Sequence, residues 1–159
     1  MSEENQKNEF LEPTLNKRLR ILKLFLMEKR NILVIDDEKS ICFILENTLK
    51  NEFNVISFSD GIEGLSYLEN GNIPDLIISD LDMPGINGFL FLEKIRNSGF
   101  FDNIPVIILS GNDESTDKIK CFELGADDYV SKPFIPKEIM ARVKRRLDAR
   151  DKLLQRIGI

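Results

Sequence analysis

Between residues 31 and 136 the chain alternates short continuous apolar runs with longer segments in which apolar residues recur every three or four positions. Ile32-Leu33-Val34-Ile35 is a run of the kind a strand buried on both faces requires, and it stops at Asp36-Asp37. Residues 40–51 then place Ile41, Ile44, Leu45, Thr48 and Leu49 at helical spacing. Phe53, Val55 and Ile56 predict a second strand, and residues 61–70, with Ile62, Leu65 and Leu68, a short helix closed by Asn70-Gly71. The cycle repeats three more times. Leu76-Ile77-Ile78 leads to Asp80, Met83-Pro84-Gly85 forms a loop, and Phe89, Leu92 and Ile95 mark a helix. Val106-Ile107-Ile108-Leu109 leads to Ser110 and a helix over about 114–124; Tyr129-Val130 leads to Lys132-Pro133, and Pro136 opens a last helix as its first-turn residue. Five strand-helix units in a row imply an α/β fold, a doubly wound five-stranded parallel sheet with helices on both faces.

Both ends carry a different pattern. Leu15, Leu19, Leu22 and Leu26 repeat at four-three-four spacing, with Lys17, Arg18, Arg20 and Lys23 between them, so an added N-terminal helix is predicted with one apolar seam and a basic face. Such a helix suits packing on its own domain or on a second copy; basic amphipathic helices also bind acidic membranes or acidic partner surfaces. At the other end Met140, Val143, Leu147, Leu154 and Ile157 continue a heptad-like stripe broken by Arg150, which predicts an extended C-terminal helix able to pair with its symmetry mate. The expected division is an arm over 1–30, a central domain over 31–147, and a helical extension or coiled-coil linker over 148–159. The chain is read either as a stand-alone unit with helical ends or as a fragment lacking an output module.

Charge sharpens this division. The net charge of -5 is made of about +2 in residues 1–30, -12 in 31–136 and +5 in 137–159. An acidic centre repels nucleic acid phosphates, so direct nucleic acid binding by the core is not expected. No uncharged apolar stretch is long enough to span a bilayer and the N-terminus opens acidic and polar, so a cytoplasmic protein is expected, with no membrane role. Cys42 and Cys121 lie far apart among helix-forming residues and read as small hydrophobes rather than a disulfide or metal pair. Histidine is absent, which removes the commonest general base and transition-metal ligand.

The polar residues that matter stand at the carboxyl ends of the predicted strands, where open parallel sheets bind ligands. A hard cation such as magnesium (Mg²⁺) takes oxygen ligands and keeps several waters beside one or two carboxylates. Asp37 and Asp80 can supply those carboxylates, Asp36 can orient a bound water, and a backbone carbonyl near Asp82 can complete the protein's share. Asp36-Asp37 alone reads more simply as a helix N-cap region. Asp80 has a second task open to it, as a carboxylate nucleophile toward phosphorus, with Lys132 neutralising the phosphoryl oxygens. Ser110 offers a hydroxyl, or is only a turn residue in Ser110-Gly111-Asn112-Asp113. Tyr129 alone is an ordinary strand aromatic.

As a set, Asp36-Asp37, the stretch Leu76-Ile77-Ile78-Ser79-Asp80-Leu81-Asp82-Met83-Pro84-Gly85, Asn87-Gly88, Ser110, and Gly125-Ala126-Asp127-Asp128-Tyr129-Val130-Ser131-Lys132-Pro133-Phe134 resemble the receiver domain of bacterial two-component response regulators, the CheY-like superfamily, over about residues 31–147. The resemblance implies strand order 2-1-3-4-5. It further implies that Asp80 accepts a phosphoryl group from a sensor histidine kinase or phosphotransfer protein, with Asp36 (through water), Asp37, Asp80 and the Asp82 carbonyl holding Mg²⁺. Lys132 would contact the phosphoryl group, Ser110 would swing toward it, and Tyr129 would turn inward. That motion remodels the face made by the fourth helix, fifth strand and fifth helix, a candidate homodimer surface alongside the terminal helices. Such a domain catalyses only its own phosphorylation and dephosphorylation. Two departures stand out: Gly111 occupies a position usually held by alanine, and Asp82 adds a carboxylate two residues past the acceptor. A competing reading is a haloacid-dehalogenase-type Mg²⁺ phosphatase, whose nucleophile motif Asp80-Leu81-Asp82 resembles. That motif belongs on a first strand, and the reading leaves Asp36-Asp37 without a task.

Overall fold

The computed structural model describes residues 28–112 and 114–158. The expected N-terminal helix, with Leu15, Leu19, Leu22 and Leu26, lies outside the described residues. Strands β1 (Asn31–Ile35), β2 (Asn54–Phe58), β3 (Leu76–Asp80), β4 (Val106–Ser110) and β5 (Asp128–Ser131) alternate with helices α1 (Lys39–Leu49), α2 (Gly61–Glu69), α3 (Gly88–Arg96), α4 (Ser115–Glu123) and α5 (Pro136–Arg156). The sheet is entirely parallel in the order β2-β1-β3-β4-β5, as the resemblance implies. Every crossover is a helix, the connection parallel strands require.

Residue parity along each strand decides which helices it meets. Leu33, Ile35, Ile77, Val106 and Ile108 face one way, into a core with Leu68 of α2, Phe91, Leu92 and Ile95 of α3 and Cys121 of α4. Ile32, Val34, Leu76, Ile78, Ile107 and Leu109 face the other, against Leu45 and Leu49 of α1 and Ile139, Val143 and Leu147 of α5. Burial on both sides is why β1, β3 and β4 read as unbroken apolar runs. Among the described residues no helix is long and apolar enough to cross a membrane.

Boundaries follow local hydrogen bonding. Asp60 and Asn87 cap α2 and α3, accepting from the backbone N–H of Glu63 and Leu90 at 2.8 and 2.9 Å. Asn70-Gly71 closes α2, with Gly71 at φ 89°, where a side chain is disfavoured. Phe53, expected to begin the second strand, stands before β2 because its N–H closes α1 by donating to the Leu49 carbonyl at 2.9 Å. Its ring packs instead into the α1–α5 core.

The α5 stripe also departs from the simple heptad. Its buried line is Ile139, Val143 and Leu147, with Met140 only partly covered. Beyond Leu147 the helix is held to the domain by polar contacts. Arg150 donates to the Asp75 carbonyl at 2.8 Å just before β3, and Asp151 pairs with Arg30 just before β1, while Leu153 and Ile157 remain exposed. At the same lower end of the sheet Arg96, closing α3, donates to the carbonyls of Gly125, Asp102 and Ile104 and pairs with Asp127 at 2.9 Å. Asp127 also accepts from the Val106 N–H at 2.8 Å, so this acid of the Gly125–Phe134 stretch anchors the start of β4.

One glycine sets how closely α3 approaches the upper end of β3. A Cβ on Gly88 would lie 2.5 Å from the Asp80 carbonyl oxygen and 2.7 Å from Leu81 Cα, both backbone atoms that cannot step aside. Gly88→Ala is expected to cost about 1–3 kcal/mol through overpacking. Gly111 has open space where a Cβ would go and no positive φ, so Gly111→Ala should be neutral or stabilise by about 0.4–1 kcal/mol. Urea unfolding of the two variants checks both signs.

Candidate functional site

The order of strands reverses between β1 and β3, so a crevice opens above their carboxyl ends. Asp36 follows β1 directly and Asp80 is the last residue of β3; both are almost fully buried. Asp36 is fixed by its own turn, its Oδ1 accepting from the Glu38 N–H at 2.9 Å. Lys132 arrives from β5, where its N–H donates to the Ser110 carbonyl at 2.7 Å and a cis Lys132-Pro133 peptide bond follows. Its Nζ lies 2.8 Å from Asp36 Oδ2, 3.0 Å from Asp80 Oδ1 and 3.1 Å from Glu38 Oε1.

Asp37, exposed at the rim, completes a group with Asp36 and Asp80 in which one carboxylate oxygen from each lies within 4.8 Å of the others. Three such oxygens around one point suit a hard, oxygen-seeking cation better than any soft metal. Asp36 Oδ2 adds to that fit, because it is buried and has no well-aligned hydrogen bond beyond its ion pair with Lys132. Asp82 stands exposed on the loop two residues beyond Asp80.

Burial of charged groups in this crevice shifts its titrations. Burial, and then the Asp36 carboxylate, push Asp80 up to about 6 against the pull of Lys132 and the Leu81 N–H. Asp36 is raised as well, burial outweighing its bonds from Lys132 and Glu38. For Lys132 burial acts downward, yet hydrogen bonds to Asp36 and Asp80 together with the Asp36 charge outweigh it and hold the ammonium above its ordinary range.

Ser110 is fully buried at the end of β4. Its hydroxyl is engaged locally, accepting from the Asn112 N–H at 3.0 Å and donating to the Asn112 carbonyl at 3.2 Å, as its turn reading anticipates. Tyr129, which the resemblance expects to turn inward, is buried, 4% exposed. The reason is a good partner inside: its hydroxyl donates to the Asn112 carbonyl at 2.7 Å.

Two participants escaped the sequence reading. Glu38 is one, although its place directly after Asp36-Asp37 is a signal that a third acid could reach Lys132. Asn112 gave no signal beyond its turn composition. Cys42 and Cys121 are free thiols, both pushed up to about 11 by burial, and Cys42 Sγ lies 3.3 Å from the Asp36 carbonyl.

Residues 32–144 match the response regulator receiver domain. The chain belongs to that family. Among receiver proteins, it is similar to the regulatory protein VanRc of Enterococcus gallinarum, 46% identical over 117 residues that make up 73% of this chain and 49% of that protein. It also resembles the alkaline phosphatase synthesis transcriptional regulatory protein PhoP of Bacillus subtilis, 41% identical over 116 residues, 72% of this chain and 47% of that one. A crystal structure of a putative response regulator from Chloroflexus aurantiacus superposes with a TM-score of 0.72 at 32% identity, covering 76% of this chain and 99% of the other. The chain spans about half the length of the curated relatives it matches. Nothing in these likenesses supports the haloacid-dehalogenase-type reading; the Asp80-Leu81-Asp82 motif begins at the last residue of the third strand, not of a first.

The raised Asp80 carboxyl makes metal-free stability depend on pH. Asp80 binds its proton more tightly folded than unfolded, so the stability this contributes is complete below about pH 4 and is lost as pH rises through about 6. A displacement of about two pH units is worth about 3 kcal/mol. In EDTA, urea unfolding is expected to show the wild type losing stability relative to Asp80→Asn between pH 4 and 7; a gap that stays constant counts against it. At pH 7 Lys132→Ala should cost about 3–5 kcal/mol, since it leaves buried carboxylates unpaired.

Proposed function

We propose that Asp80 is the phosphoacceptor of a two-component signalling pathway, taking a phosphoryl group from a sensor histidine kinase or phosphotransfer protein. The observation that carries this reading is the meeting of the Asp36, Asp37 and Asp80 carboxylates within 4.8 Å, with Lys132 Nζ 3.0 Å from Asp80 Oδ1. In the transfer an Asp80 carboxylate oxygen bonds to phosphorus as the phosphorus–nitrogen bond of the donor phosphohistidine breaks, and the electron pair returns to the imidazole. The chain has no histidine, so the donor belongs to a partner.

Mg²⁺ fits the acid cluster, held by Asp37, Asp80, Asp36 through water, and the Asp82 backbone carbonyl; when bound it supplies positive charge against the phosphoryl oxygens. The protein's own residues do the rest. Burial keeps water from screening the site, so the Lys132 ammonium acts at full strength on the transferred group. Lys132 already holds two buried acids and Glu38, and a phosphoryl group on Asp80 adds about 1.5 to 2 negative charges to the same ammonium. Ser110 supplies a hydroxyl from the next strand, and Tyr129 links that event to the face of α4, β5 and α5. This face, where Ile119 and Phe122 are exposed, and the end of α5, where Leu153 and Ile157 are exposed, are the surfaces for a changed partner or a second copy of the chain. The domain is a switch located in the cytoplasm, rather than an enzyme with a separate substrate.

Incubation with Mg²⁺ and acetyl phosphate or a cognate kinase is expected to add one phosphoryl group at Asp80, visible by intact mass and lost in Asp80→Asn. EDTA should reduce labelling at least tenfold. Lys132→Ala should be labelled more slowly and, once labelled, fail to change the elution volume or partner binding that phosphorylation alters in the wild type. Persistent labelling of Asp80→Asn at another residue would falsify the assignment.

A further inference from the structure

Each of the three donors of the Lys132 ammonium has a carboxylate within hydrogen-bonding distance. An ammonium donates three hydrogen bonds and accepts none, and Lys132 Nζ meets Asp36 Oδ2 at 2.8 Å, Asp80 Oδ1 at 3.0 Å and Glu38 Oε1 at 3.1 Å. The three acids differ in what it costs them to leave. The Asp36 and Asp80 side chains are 0% and 4% exposed, so departure would strand a buried charge, whereas that of Glu38 is 57% exposed and passes into water. The fold asks nothing else of the Glu38 side chain. Its backbone N–H donates to Asp36 Oδ1 at 2.9 Å and its carbonyl accepts from the Ile41 N–H at 2.9 Å, while its carboxylate caps no N–H of α1.

A phosphoryl oxygen above Asp80 bonds to Lys132 by replacing one of these acceptors. We infer that Glu38 is a positioning residue for phosphorylation: its carboxylate occupies the Lys132 donor that the phosphoryl group takes, and it moves out to solvent as the group enters. This rests on Asp80 being the phosphoacceptor. The exchange replaces one anionic acceptor by another, so the apparent affinity for a phosphoryl group is lowered by competition from Glu38. An ion pair with one exposed partner competes only weakly, by a factor of about two to five. Glu38 therefore raises the threshold for charging Asp80 without contacting the transferred group.

Beryllofluoride with saturating Mg²⁺ is the probe, its fluorines standing in for phosphoryl oxygens. Occupancy of the full chain is read from the bound ¹⁹F resonances at about 0.15 M ionic strength, where exposed charges are screened beyond about 8 Å. Glu38→Ala is expected to lower the half-saturating beryllofluoride concentration about two- to fivefold. In a Lys132→Ala background the same substitution should give no gain, because no ammonium is left to free; a general charge effect or a merely structural role would persist there. Glu63→Gln removes an acid that lines the same groove as Asp36 but accepts from Ser59 rather than Lys132, and it should leave half-saturation unchanged. That comparison carries the test should thermal melting show Lys132→Ala unfolded. Unchanged half-saturation in Glu38→Ala, a gain that survives loss of the Lys132 ammonium, or an equal gain in Glu63→Gln overturns the inference. A wild-type protein that gives no saturable ¹⁹F signal overturns instead the phosphoacceptor reading beneath it.

Discussion

One ammonium group holds the upper end of this protein together. Lys132 Nζ touches Asp36, Asp80 and Glu38 at 2.8 to 3.1 Å, joining the ends of β1, β3 and β5 across a crevice whose acids outnumber it. Buried ion pairs stabilise little in themselves because desolvation consumes most of their attraction, but removing one partner is severe. Three acids around one cation leave negative charge unbalanced, and Asp80, buried and facing Asp36, carries that imbalance as a carboxyl reluctant to ionise. A site in this condition favours positive charge over further negative charge.

The fold makes this imbalance tolerable by fixing its members from behind. Asp80 ends a strand buried at every position, Lys132 is held by its N–H on the Ser110 carbonyl, and Gly88 lets α3 press against the Asp80 and Leu81 backbone. The apolar layers on the two faces of the sheet grip the strands to their last residues, so charged side chains beyond them inherit a rigid footing.

Much of this was readable in the chain itself. Continuous apolar runs ending in Asp36, Asp80 and Ser110 disclosed a parallel sheet and its carboxyl edge, because burial on both faces leaves no room for alternation. The spacing of the acids and Lys132 needed the family resemblance to become a strand order, since periodicity gives elements but not their neighbours. Phe53 shows where such reading stops: its apolar side chain looks strand-like, but its N–H is spent closing α1. Glu38 and Asn112 were hidden for a related reason, since their roles depend on which strand ends stand side by side and on backbone groups that every residue possesses. Tyr129 was legible as a strand aromatic but not as one whose hydroxyl donates to the Asn112 carbonyl.

The long final helix has a mechanical consequence. Its 21 residues reach about 30 Å, pressed on the sheet by Ile139, Val143 and Leu147 and moored past them where Arg150 meets Asp75 and Asp151 meets Arg30. A rod secured at two stations passes a tilt at one on to the other. A tilt near the crevice would therefore be felt at the Asp75 and Arg30 contacts of its distal turns.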